Sequence, residues 1–248
     1  MRRLTLIAVA FCLAAPAGRA QDGNGCASVT HAARAFTACT YDPATFEFRL
    51  FLAGPDKTPL LTLGRLVASL PKDKPPAMAM NAGMYHRDFS PVGLLVQGGR
   101  QSSPALTGAS AGNFGLLPNG VFHVEGGRAA VTETKAFLKS KVRPDLATQS
   151  GPMLVIANAL HPKISARGTS RHIRNGVGVR ADGRVVFAIS EDEVTFHEFA
   201  TLFRDSLHCP DALYFDGSVS SLHAPALGRD DLRAPLGPMI GVFARAKK

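Results

Sequence analysis

The sequence predicts an α+β fold: a single domain organised on a large, mixed or mostly antiparallel sheet with a few helices. Three observations lead there. Short apolar or alternating runs recur along the chain and are closed by Gly, Pro, Asn or Asp clusters, the mark of strands and turns. Only two stretches carry helical periodicity. Strands and helices do not alternate and no segment repeats, which excludes a doubly wound parallel sheet.

Residues 1–20 have the pattern of a secretory signal, with Arg2 and Arg3 ahead of a short apolar run and small residues, Gly18 and Ala20, at the cleavage positions. Cys12 follows Phe11, which does not suit a lipid-attachment site. Residues 21–248 are then the domain, expected to be periplasmic or secreted. No later stretch is apolar for long enough to span a membrane. Three arginines of the signal carry part of the +9 formal charge, and the remaining +6 favours anionic ligands. Nucleic acid is not implied: no basic low-complexity tail exists, and the few aromatics are mostly Phe inside apolar runs. In an oxidising compartment Cys26 and Cys39 are the local choice for a disulfide, which by loop-closure entropy contributes about 3 kcal/mol. Cys209 is then left buried and free. No Cys-x-x-Cys occurs, so a redox or thiol-metal site is not expected.

Strands are expected at residues 35–40 and 45–53, where Phe46, Phe48, Leu50 and Leu52 alternate with other residues. A short helix follows at 60–70, with Leu60, Leu63, Val67 and Leu70 inward. Ala77 to Tyr85 is an apolar run that ends on Asn81 and Gly83. His86, Arg87 and Asp88 form a polar loop, and residues 91–96 a strand. Residues 113–117 and 121–124 read as a hairpin around Pro118-Asn119-Gly120, with His123 facing outward. Gln149 and Ser150 abut a strand at 153–157. Residues 171–175 are a basic loop with an amide. The clearest hairpin joins 177–180 to 184–190 through Asp182-Gly183. Thr195 and Glu198 make a capping box for a helix reaching Leu207. A buried strand at 213–215 runs into Asp216-Gly217, and a last strand covers 237–243.

The P-loop Gly-x-x-x-x-Gly-Lys-Ser/Thr and the dinucleotide fingerprint Gly-x-Gly-x-x-Gly are both missing. The histidines are scattered, without metal-ligand spacing. What remains is a set of polar strand ends: Asn81, Gln149-Ser150, Arg171 to Asn175, and Asp216 to Ser221. Acid, amide and hydroxyl groups bind sugar hydroxyls, while guanidinium and serine-rich loops bind a phosphate.

Four segments carry a resemblance: Met80-Asn81-Ala82-Gly83-Met84-Tyr85; Gln149-Ser150-Gly151-Pro152-Met153-Leu154-Val155; Arg174-Asn175-Gly176-Val177-Gly178-Val179; and Phe215-Asp216-Gly217-Ser218-Val219-Ser220-Ser221-Leu222. In this order, with the closing Gly-Pro-Met-Ile-Gly-Val, the chain resembles the phosphodiester glycosidase family from about Ala77 to Val242. The resemblance implies that family's fold, a carbohydrate or glycoconjugate phosphodiester substrate, and cleavage between a sugar's anomeric carbon and a phosphodiester oxygen. No cofactor and no metal are expected, since single acids and histidines sit apart in the sequence. The family usually has Asp-Gly-Gly-Gly-Ser-Ser where this chain has Asp216-Gly217-Ser218-Val219-Ser220-Ser221, so two glycines are replaced. The family's fold therefore carries over better than its substrate.

The chemistry accounts for a site with few carboxylates. An ordinary glycosidase needs a carboxylic acid to protonate a poor leaving group. A departing phosphate monoester is already a stable anion, so cationic and amide contacts can serve instead. On this basis Asp216 is expected as base, nucleophile or oxocarbenium stabiliser, with Glu191 the second acid. Arg174, with Arg171, is expected to hold phosphate. Asn81, Gln149, Ser220 and Ser221, with Gly83, Tyr85, Ser150, Asn175, Gly217 and Ser218, are expected to line the substrate site. Two alternatives stand beside this: an exported glycan-binding or envelope-associated module whose site no longer turns over, and a metal-dependent phosphodiesterase. The oligomeric state is not legible in the sequence.

Overall fold

The computed structural model describes residues 24–108, 110, 112–231 and 235–245, so the expected signal at 1–20 lies outside the described residues. In chain order the strands begin with β1 (Gly25–His31), β2 (Arg34–Tyr41), β3 (Phe46–Phe51), β4 (Met78–Asn81), β5 (Leu95–Gln97) and β6 (Arg100–Ser103). They continue with β7 (Gly120–Glu125), β8 (Arg128–Glu133), β9 (Leu146–Ser150), β10 (Met153–Ile156), β11 (Ala159–Leu160), β12 (Asn175–Val179) and β13 (Val185–Ser190). The last are β14 (Asp211–Asp216), β15 (Leu222–Ala224), β16 (Arg229–Asp230) and β17 (Met239–Ala244). Three helices interrupt them: α1 (Leu63–Ala68), α2 (Thr134–Lys139) and α3 (Phe196–Thr201), the last extended by a π-helical turn over Leu202–Ser206.

The strands form three sheets rather than one large one, ordered β1-β2-β13-β12-β14-β10-β11, β16-β15-β4-β17-β3 and β6-β5-β9-β7-β8. Every pairing between named strands is antiparallel. Their inner faces meet in one core that includes Phe48, Met78, Met80, Phe122, Phe187, Phe215 and Ile240. Strand periodicity sends the intervening residues outward, and each outer face carries one helix. On the first sheet Phe36, Val186, Ala188 and Ala212 pack against Phe199, Leu202, Phe203 and Leu207. On the second, Ala79 and Met239 pack against Leu63 and Leu66. On the third, Val121 and Ala147 pack against Phe137. The first sheet is thus covered on both faces, which is why all of β13 is buried and reads as a continuous apolar run.

The hairpin at Asp182-Gly183, the capping box at Thr195 and Glu198, and the Cys26–Cys39 disulfide are as expected. The two cysteines face each other across the β1–β2 ladder. Cys209 is buried and free, and burial pushes its thiol up to about 12. Several expectations needed correction. The hairpin expected around Pro118-Asn119-Gly120 lies one turn later: Asn113–Gly115 is a short 3-10 helix, and β7 pairs with β8 around Gly126-Gly127. Strands β1, β8, β9 and β15 and helix α2 were not anticipated.

His123 faces inward, not outward. Its imidazole sits 5.0 Å from the Phe137 ring, and Nε2 lies 3.0 Å from Thr132 Oγ1. Burial pushes the imidazoles of His123, His161 and His31 below their ordinary value. The unfolded chain then binds protons that the native state does not. Stability is therefore full above the ordinary imidazole range, about pH 6.5, and falls as the pH drops below it. Urea midpoints at pH 7.5 and pH 5 should show that loss, and a His123→Leu variant should show a smaller one. An equal loss in both would remove His123 from the account.

Candidate functional site

The site forms where β14 leaves the first sheet. Four of its six residues, Ala212 to Phe215, are fully buried, so the strand is held rigidly and delivers Asp216 to the surface half-exposed. Opposite it, Asn175 of β12 pairs with Asp216, but Gly176 pairs with Tyr214. Phe215 is thus an extra, bulged residue, a device that twists a strand end and re-aims the side chains beyond it. Ser150 Oγ donates to the Phe215 carbonyl at 3.2 Å. Asp216 Oδ1 accepts the amides of Ser218 and Val219, the latter at 2.9 Å, which fixes the turn. Among the described residues Oδ2 accepts no hydrogen bond.

Behind the turn lies a buried polar clasp. Asn175 Nδ2 donates to Asn81 O at 2.9 Å and to Asn81 Oδ1 at 3.0 Å, and Asn81 Nδ2 donates back to Asn175 Oδ1 at 3.3 Å. The Ser221 amide donates to Asn81 Oδ1 at 2.8 Å. Ser220 Oγ donates to Ile173 O at 2.8 Å. All four residues are nearly or wholly buried. They join β4 of the second sheet to β12 and β14 of the first, and they anchor both ends of the Asp216 loop.

In front of the turn is a cleft of about 660 Å³. Its described lining includes Tyr85, His86, Arg87, Asn113, Tyr214 and Asp216 to Val219. Asp216 is the one carboxylate in that lining, and His86 and Arg87 are basic groups facing the same space. His86 and Arg87 are exposed, and neither makes an ion pair among the described residues. Tyr85 donates to Pro235 O at 2.6 Å and stacks on Phe89. Burial, and then the charge of Asp216, push its phenol up.

Of the residues expected at the site, Asp216, Gly217, Ser218 and Tyr85 line the cleft, and Asn81, Asn175, Ser220 and Ser221 lie directly behind it. The remainder sit elsewhere. Arg174 is wholly buried and does not reach the cleft. Its guanidinium lies 3.7 Å above the Phe196 ring and donates to Val194 O at 2.9 Å, Ser170 O at 2.9 Å and Tyr214 Oη at 3.2 Å. The expected phosphate contact by Arg174 is replaced by support of Tyr214 from behind. Burial pushes this guanidinium down from its ordinary value. Arg171 pairs with Glu198 at 2.9 Å on the surface. Glu191 is bound to Arg229 at 2.6 Å and Thr37 at 2.6 Å, and is not in the cleft lining.

Gln149 is buried, and its Oε1 accepts the amides of Leu94 and Leu106 at 3.1 and 2.9 Å. It ties down the loop that reaches the cleft rather than touching its contents. Gly83 is a packing residue: a Cβ there would stand 2.6 Å from Gln149 O. Gly217 allows a close approach too, but by Tyr214 Oη, against which a Cβ would collide. The sequence reading missed Arg87, His86, Asn113 and Tyr214. The polar run His86-Arg87-Asp88, directly after the Asn81 motif, was the available signal. Among the described residues no group of three or more His, Cys, Asp or Glu is placed to hold a metal ion.

Comparison with known proteins bears on the family and the fold. The chain is 32% identical over 205 residues to uncharacterized protein YigE of Escherichia coli (strain K12), covering 83% of this chain and 80% of that one. The fold matches the catalytic domain of zebrafish N-acetylglucosamine-1-phosphodiester alpha-N-acetylglucosaminidase with a TM-score of 0.60 at 10% identity, over 93% of this chain and 87% of that one. It also matches a hypothetical protein from Synechocystis with a TM-score of 0.54 at 16% identity; 89% of this chain is covered, but it spans only 61% of that protein. A sequence model of phosphodiester glycosidases matches residues 76–243, the stretch from β4 to β17 that builds both the Asp216 turn and the clasp behind it, and the chain belongs to that family.

Proposed function

We propose that the protein is a hydrolase that cleaves the bond between a sugar's anomeric carbon and the oxygen of a phosphodiester. The observation that carries this is the carboxylate of Asp216, held at a rigid strand end and alone of its kind in the described lining of a cleft that also presents Arg87 and His86. Family membership supports it. Water adds to the anomeric carbon as the bond from that carbon to the phosphodiester oxygen breaks. The bonding pair leaves with the phosphate monoester. Asp216 Oδ2 balances the positive charge that builds on the sugar and receives the proton of the attacking water. Arg87 and His86 neutralise the departing phosphate, so no second carboxylic acid is needed. Arg174 is a positioning residue: it holds Tyr214, which packs under Gly217. The Cys26–Cys39 disulfide supports an oxidising, extracytoplasmic compartment.

A second reading is a glycan-binding module without turnover. Its support is the Asp216 loop, where Oδ1 is already taken by two backbone amides. A panel of sugar-1-phosphodiesters separates the two. Free sugar and a phosphate monoester as products support hydrolysis at the anomeric carbon. Sugar phosphate as product, lost with a chelator, would replace that reading with a metal-dependent phosphodiesterase. Saturable binding without product would leave the module. An Arg87→Gln variant should lose about 10- to 100-fold in kcat/KM, the worth of one charge-assisted hydrogen bond, and fold as the wild type does. Unchanged kinetics would take Arg87 out of the phosphate site.

A further inference from the structure

The third sheet carries a surface that the proposed reaction does not use. Helix α2 and the segment after it run Thr134-Lys135-Ala136-Phe137-Leu138-Lys139-Ser140-Lys141-Val142-Arg143-Pro144. Four cations fall within nine residues, and no acid occurs between Thr134 and Pro144. Lys135, Lys139, Lys141 and Arg143 are all exposed, and none makes an ion pair among the described residues. The nearest acids in sequence keep their charge but point to backbone amides rather than to these cations: Glu133 accepts the Ala136 amide, and Asp145 accepts the Gly126 amide. Glu125, from the facing hairpin, accepts the Arg143 amide.

Beside this segment opens a largely apolar groove of about 290 Å³, whose lining includes Leu94, Val96, Phe137, Leu138 and Val142, with Gln101 its polar residue. Leu138 stands at its lip and is 49% exposed, the most exposed large hydrophobic side chain among the described residues. An exposed apolar side chain and groove on a segment that carries four exposed cations match one kind of surface: anionic headgroups over hydrocarbon. A soluble acidic partner would satisfy the charges but leave Leu138 and the groove unexplained. We infer that this face docks on an anionic phospholipid bilayer, with Leu138 entering the headgroup boundary and the four cations meeting lipid phosphates. The groove adjoins the cleft along the chain, since Ala105 lines the groove and Leu106 lines the cleft. Docking therefore sets the cleft beside the membrane surface.

The test is co-sedimentation of the full chain with vesicles of phosphatidylglycerol and phosphatidylcholine, against vesicles of phosphatidylcholine alone. Binding is expected only to the anionic vesicles and should fall as salt is added. Each cation removed should weaken partitioning about fivefold, equivalent to about 1 kcal/mol, so K139Q with K141Q should lose about 25-fold. Leu138→Ser, which leaves the charge intact, should lose about tenfold. These side chains are exposed and lie outside the cleft, so thermal unfolding and turnover of a soluble phosphodiester should match the wild type in every variant. Equal binding to both kinds of vesicle, no binding to either, or undiminished binding by the charge and Leu138 variants would each overturn the proposal. None of these results depends on whether the cleft is a glycosidase.

Discussion

Asp216→Asn is expected to fold as the wild type does and to lose turnover by a factor of about 10² to 10⁴. Folding is preserved because the contacts that shape the turn use one oxygen only. Oδ1 accepts from the Ser218 and Val219 amides, and an asparagine Oδ1 accepts from both in the same way. The substitution removes the carboxylate charge from the cleft lining, the charge that would balance a cationic sugar. Steady-state release of free sugar from a sugar-1-phosphodiester measures the loss, and the thermal unfolding midpoint checks that the fold is intact. The split between kcat and KM is informative. A fall in kcat with KM held means the carboxylate acts in the transition state; a rise in KM alone means it only binds substrate. Full activity in this variant would end the case for Asp216.

Asn175→Ala is expected to be among the most destabilising single changes in the chain, by about 3–5 kcal/mol. The residue is wholly buried, and its amide is used from both ends. Removing it strips Asn81 Nδ2 of its acceptor and Asn81 O and Oδ1 of a donor, and it leaves a void between two sheets. Asn175→Asp separates the polar loss from the void. It keeps the volume but replaces a donor by a second acceptor, facing two carbonyl oxygens of Asn81. If polarity is what matters, the aspartate variant should be at least as unstable as the alanine variant in urea titration. A double-mutant cycle with Asn81→Ala should show a coupling well above the few tenths of a kcal/mol found between independent sites. Near-additivity would mean that the clasp is incidental.

The sequence was most legible where one local pattern decides one element. The capping box at Thr195, the Asp182-Gly183 turn and the period-2 run at β3 needed no distant partner to be read. Strands β8, β9 and β15 were missed because they are short or polar, and they are strands only because a neighbour supplies the ladder. Helix α2 buries only Thr134 and Phe137, so it shows no apolar stripe of the kind that Leu60, Leu63, Val67 and Leu70 give around α1. The division into three sheets was not legible either. Each segment alternates in the same way whichever sheet it joins.

Among the candidate site residues, Asp216 is a common Asp-Gly turn when read alone, and it stood out only beside the other polar strand ends; the structure places it in the cleft lining. The roles of Arg174 and Gln149 were misjudged for a common reason. Both sit beside the right motif, but burial turns their polar groups toward backbone carbonyls and amides. Arg87 looked like an ordinary solvated loop residue, because the cleft it faces is built partly by the Asn113 segment and the Asp216 turn, far away in sequence.

The sheet order also sets the order in which the molecule can assemble. The third sheet draws only on residues between β5 and β9, so it can close as a unit soon after Ser150 has left the ribosome. The other two cannot. In the second sheet, among the described residues, β3 has β17 as its only strand partner, and β17 also pairs with β4, so nearly the whole chain must be synthesised before that sheet exists. In the first, β2 waits for β13, and β12 waits for β14. The Asn81–Asn175 clasp bridges these late sheets, so the Asp216 turn takes shape only when the long-range pairings are complete. A nascent chain would therefore carry a folded middle and unpaired flanks, and the cleft would be its last part to become competent.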